Sequence, residues 1–238
     1  MTSAKQIYLG SRRKPNLPYD AEVEYLESTG TQWIDTGVTV SSSSHIVVKM
    51  SNLSSDGRWI FGARRGYLDS AVGVHEDAGG NINEFRFAWG AYLSQDPFVY
   101  TNTNVGVVTI DISAGRLTVT RERNPYTYTE QATTQAFTTP CHLALFGLND
   151  NGRVISKSSV RMYGAQIDDV RDYIPVRFTN EQGQSEGAMY DRVSCELFRN
   201  SGTGAFGFGT DIAGGGYKWL GYSPLQFSRF SRLWKEAA

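Results

Sequence analysis

From Glu22 onward the chain reads as short apolar, β-branched or aromatic runs separated by Gly, Asn, Asp and Ser. Period-two alternation recurs within them. Val108, Ile110 and Ile112 fall on one side of an extended chain, with Thr109 and Asp111 on the other. Helical periodicity is almost absent from this stretch. The runs predict strands over residues 33–39, 45–50, 58–62, 71–75, 84–89, 105–112 and 116–121, and then over 141–146, 159–168, 172–179, 188–191 and 195–198. Ser113-Ala114-Gly115, lying between two of them, predicts a hairpin turn. About a dozen strands suit a large all-β jelly-roll sandwich of two antiparallel sheets better than a small immunoglobulin-type domain.

The two ends break this pattern. Residues 1–19 hold one strand-like stretch, Ile7-Tyr8-Leu9-Gly10, then turn basic at Arg12, Arg13 and Lys14 ahead of Pro15 and Pro18, and predict an N-terminal arm. After the sandwich, expected over 20–212, Gly214-Gly215-Gly216 opens a tail over 213–238. There Ser223-Pro224 offers a helix start, and Phe227, Phe230 and Trp234 recur at spacings of three and four beside Arg229, Arg232 and Lys235. This predicts a short amphipathic helix with an aromatic stripe, which either packs back on the sandwich or docks another chain.

Composition narrows the function classes. The chain has 238 residues, enough for a substantial core, and a disulfide-stapled miniature fold is excluded. A net charge of −1 offers no general attraction for nucleic acid or an anionic membrane. No apolar run approaches the roughly 18 residues of a membrane span, and Met1 to Arg13 hold no apolar signal-peptide core. Gly, at 25 residues, and 13 Tyr, 12 Phe and 5 Trp point to strands and turns. Cys141 and Cys195 cannot make a four-ligand zinc site alone, and free, buried thiols are expected.

The segment from Val23 to Gly37, VEYLESTGTQWIDTG, resembles the opening strand of LamG-like, concanavalin A-like domains found in phage and prophage virion proteins. The resemblance continues through Ile60-Phe61-Gly62-Ala63-Arg64, Leu145-Phe146-Gly147-Leu148-Asn149 and the run from Val160 to Ile167. Asp172 to Arg177, Gly187 to Asp191 and Asn200 to Gly204 close it, so that it covers roughly residues 20 to 212. Ile7-Tyr8-Leu9-Gly10-Ser11 also resembles N-terminal segments of phage virion proteins. The resemblance implies a jelly-roll sandwich used as a binding or structural module on a virion or cell surface, without fixing its ligand.

Three chemistries deserve weighing against plain folding roles. Glycoside hydrolysis in concanavalin A-like enzymes needs two carboxylates about 5 to 5.5 Å apart for retention. The Glu-x-Asp-x-Glu pattern that supplies them is missing, and Asp20, Glu22 and Glu24 alternate in the wrong order at the domain's entry. Calcium, which related sandwiches often hold, would use Glu76 and Asp77, or Asp150 in Asn149-Asp150-Asn151-Gly152, although the latter is equally an Asn-Gly turn. Sugar binding needs exposed aromatic faces beside polar groups, which nominates Trp59, Arg64, Tyr67, Trp89 and Tyr92, with core packing as the alternative for each Trp.

The expectation that follows is a non-enzymatic structural, decoration or fibre protein on the surface of a phage particle, without an obligatory cofactor. Ile7, Tyr8 and Leu9 with Phe227, Phe230 and Trp234 would anchor it to other virion proteins, while the sandwich meets cell-surface or mucus glycans. A symmetric homo-oligomer made in the host cytoplasm is expected. A dedicated carbohydrate-binding module is the first alternative, and a glycoside hydrolase the second.

Overall fold

In a computed structural model, the structure describes residues 17–52, 57–66, 71–76, 84–90, 99–100, 106–122, 127–131 and 136–212. The arm residues Ile7, Tyr8 and Leu9, the predicted tail helix with Phe227, Phe230 and Trp234, and the candidates Tyr67, Asp77 and Tyr92 lie outside them.

The described chain is all strand and turn. The strands are β1 (Ala21–Glu22), β2 (Leu26–Glu27), β3 (Ile34–Asp35), β4 (His45–Asn52), β5 (Trp59–Arg64), β6 (Ala71–Glu76), β7 (Glu84–Gly90), β8 (Val99–Tyr100), β9 (Val108–Ser113) and β10 (Arg116–Arg121). They continue as β11 (Thr127–Gln131), β12 (Ala144–Leu145), β13 (Leu148–Asp150), β14 (Arg153–Ile155), β15 (Val160–Ile167), β16 (Arg171–Thr179), β17 (Ser185–Asp191), β18 (Glu196–Phe198) and β19 (Gly207–Phe208).

They form two sheets. The larger runs β11-β10-β9-β4-β15-β16-β17-β18, with β1 added to β16, β2 to β15 and β19 to β2. The smaller runs β14-β13-β5-β6-β7-β8, with β12 joining β3 to β5. Pairing is antiparallel throughout the named strands except for β13, which lies parallel to β5 through Leu148↔Gly62 to Asp150↔Arg64. The expected purely antiparallel sandwich is therefore mixed at this point.

The alternation in the sequence becomes the core. Val108, Ile110 and Ile112 of β9 are buried with Ile46, Val48 and Met50 of β4 and with Leu117 and Val119 of β10, facing Ile60, Phe61 and Trp89 of the smaller sheet. A second apolar cluster, Ile174, Val176, Phe178, Ala188 and Tyr190, packs with Tyr19 and Leu197. Ser113 pairs with Arg116, and the two residues between them, Ala114 and Gly115, take φ of +48° and +81°. This is the predicted hairpin, closed by a type I′ turn whose right-handed sense matches the strand twist.

Candidate functional site

Two of the sequence-derived sugar-site rings are buried. Trp89 is 1% exposed, stacked on Phe87 with centroids 6.0 Å apart and meeting Phe137 edge-on at 5.4 Å. Trp59 lies over Gly62 and Gly73, where a Cβ would come within 2.6 and 2.9 Å of its ring, and is packed with Ala71, Ala88 and Leu148. Both indoles thus take the core-packing alternative, because a large ring on a sandwich strand is stabilised most by leaving water. The Arg64 guanidinium is engaged, its Nη2 donating to Asp150 Oδ2 at 2.8 Å.

That ion pair also occupies the loop considered for calcium. Asp150 pairs with Arg153 across Asn151 and Gly152, at φ of +52° and +94°, and Asn149 Oδ1 accepts the Gly152 N–H at 2.8 Å. The Asn-Gly turn reading is the one the backbone adopts. Glu76 ends β6. Both cysteines are free, as expected, but neither is fully buried: Cys141 is half-buried, and Cys195 is exposed because it sits in the tight turn after β17 with φ of +59°.

Aromatic surface beside polar groups lies instead on the outward face of the larger sheet, opposite the core. On β15, Val160 and Met162 point inward while Arg161 and Tyr163 point outward. The register then shifts, so that Tyr163 and Gly164 together oppose Lys49 of β4. A bulge of this kind turns both residues to one face and re-aims the side chain there. Tyr163 is half-exposed, its hydroxyl 3.4 Å from Ser51 Oγ and its ring 6.0 Å beneath the Lys49 ammonium.

β2 extends this face. Leu26 is buried, so Tyr25 and Glu27 point out, and Glu27 is paired in register with Arg161. Arg161 Nε donates to Glu27 Oε2 at 2.8 Å, and its guanidinium carbon stands 4.6 Å over the Tyr25 ring. Tyr25 in turn meets Tyr163 edge-on at 5.6 Å. Gly209 leaves room for that ring, since a Cβ there would be 2.9 Å from Tyr25 Cε1. The Glu27 hydrogen bond raises the pKa of Arg161 further above its ordinary value, so the guanidinium is a permanent cation.

The charged groups of this patch are engaged with one another. Lys49 pairs with Glu122, Arg161 with Glu27, and His45 Nε2 with Asp111 Oδ1 at 2.9 Å. The half-exposed rings of Tyr25 and Tyr163 lie beside these pairs. Such a surface can stack on and hydrogen-bond to a hydroxylated ring.

Tyr25, Arg161 and Tyr163 were not among the sequence-derived site residues. The alternation Val160-Arg161-Met162-Tyr163 carries the signal for an outward Arg and Tyr, but only the pairing of β2 with β15 brings Tyr25 to them.

No protein-family model matches the chain, and neither does any curated protein. Among solved structures, the full extracellular region of zebrafish Gpr126/Adgrg6 is similar over 80% of this chain, at 8% identity and a TM-score of 0.41. The chain spans 27% of that structure's chain. A likeness at this distance says nothing of function.

Proposed function

We propose that this chain is a non-enzymatic attachment module that holds a surface glycan on the outward face of its larger sheet. The observation that carries the reading is the half-exposed Tyr25–Tyr163 pair, bracketed by Arg161, Ser51 and Lys49. Binding rather than turnover follows from the way the patch's carboxylates are committed. Glu27 and Glu122 each pair with a neighbouring cation and Asp111 is hydrogen-bonded to His45 Nε2, whereas hydrolysis needs one carboxyl held as acid and a second free to attack or activate water.

The resemblance of the blocks between Val23 and Gly204 to LamG-like phage proteins supports a place on a virion, as a decoration or fibre component. The arms, Ile7, Tyr8 and Leu9 at one end and Phe227, Phe230 and Trp234 at the other, would then contact other virion proteins or further copies of the chain. The test is a glycan array probed with the full chain and with Arg161→Ala. Saturable binding of one glycan class by the wild type, weakened in the variant, is the expected result. A folded wild-type protein that binds no glycan, or that degrades one, contradicts the reading.

A further inference from the structure

The outward face does not stop at the tyrosines. Across β4, β9, β10 and β11 the residues in register with Lys49 are Thr109, then Thr120, then Thr127. A parallel row starts at Val47 and runs through Asp111 and Thr118 to Thr129. Thr127 and Thr129 are exposed, and Thr109, Thr118 and Thr120 half-exposed. The hydroxyls therefore form a cross-strand ladder over β9, β10 and β11, separated from Tyr163 by β4, whose Val47 and Lys49 are buried. With neighbouring strands about 4.8 Å apart, the five strands from β15 to β11 give a row about 19 Å long, the length of several pyranose rings.

We infer that this row is a series of subsites for a neutral linear polysaccharide that lies across the strands, with one ring at Tyr163 and further units on Thr109, Thr120 and Thr127. The inference rests on the glycan-attachment reading and deepens it. Two observations select this occupant. The two cations beside the tyrosines, Lys49 and Arg161, are each matched to a carboxylate, so a polyanionic glycan would have to break an existing pair to gain a new one there. The groups beyond Lys49 are hydroxyls on a regular spacing set by the sheet, which suits a chain with regularly repeated hydroxyls rather than a single terminal sugar.

The experiment titrates the full chain with neutral gluco- and manno-oligosaccharides of one to six units, beside a sialylated and a uronic-acid oligosaccharide. A Thr120→Val, Thr127→Val double variant keeps shape and strand preference while removing two hydroxyls. The expected result is affinity for one neutral series that rises about tenfold or more between two and five units. In the double variant that rise is lost while binding of the shortest ligand is unchanged. Affinity that is flat with length, a preference for the acidic oligosaccharides, or a double variant that behaves as wild type overturns the inference and leaves glycan attachment standing. Failure of every oligosaccharide and of the wider array overturns both.

Discussion

Ala114 occupies the first central position of the β9–β10 turn at φ of +48°, a region in which an L-residue other than Asn or Asp is strained by roughly 1 kcal/mol. Ala114→Asn keeps the turn and relieves part of that strain. The expected outcome is a gain of about 0.5 kcal/mol in urea unfolding, and a loss would show that the side chain rather than the backbone dominates there.

His45 presents a second single-residue case. The Asp111 hydrogen bond is the main reason its pKa lies above the ordinary 6.5, with partial burial opposing it and the charges of Asp111, Asp168 and Asp169 adding to it. A folded-state pKa above the unfolded one means that the protonated pair contributes fully below about pH 6.5 and that this contribution is lost as pH rises through the raised value. His45→Gln should therefore lower the urea midpoint at pH 5.5 by more than at pH 8.5. An equal effect at both pH values would contradict the charged pairing.

The two buried indoles show why a Trp in a strand of this sandwich is a poor guide to exposed aromatic surface. Trp is the most conspicuous aromatic for stacking, yet on these strands Trp59 and Trp89 gain most by burial. Tyr25 and Tyr163, with a polar tip, are the rings left half-exposed.

At the scale of elements, the strands with strong alternation, β4, β9, β10 and β15, were legible because one face is core and the other polar. β11, Thr-Tyr-Thr-Glu-Gln, was not, since it is polar and carries no apolar run. Nor was β14, whose Arg153–Ile155 follows a type I′ turn immediately. The bulge at Tyr163 leaves no trace in the pattern either, because it depends on which residue of β4 lies opposite.

The end of β17 is fixed by one carboxylate. Asp191, wholly buried, accepts the N–H groups of Asp172, Val193 and Ser194 and the Ser194 hydroxyl, with Arg171 Nη1 3.6 Å away. Asp191→Asn would turn part of that acceptor set into a donor facing other donors. The expected loss is about 3 kcal/mol by chemical denaturation, with β16, β17 and β18 the first to lose hydrogen-exchange protection. A loss within about 0.5 kcal/mol would mean that the turn holds without the carboxylate.

For the whole molecule, the sandwich settles which surfaces are available. One face of each sheet is spent on the shared core, and the outward face of the larger sheet is divided. Over β16 and β17 it is apolar and covered by Tyr19 and Leu197, while on β2, β15, β9 and β10 its outward Tyr25, Tyr163, Thr109, Thr118 and Thr120 are half-exposed and on β4 Val47 and Lys49 are buried. The two-sheet architecture was readable from strand number and spacing. This division was not, because it depends on which strands β1, β2 and β19 join.

The most direct test compares glycan binding by the wild-type chain and Tyr163→Ala side by side, with thermal melting as the control for folding. Saturable binding by the wild type, about tenfold weaker in a variant that melts normally, is the predicted result. Equal binding by the two proteins would contradict the outward-face site, and a folded wild type that binds nothing would contradict attachment itself.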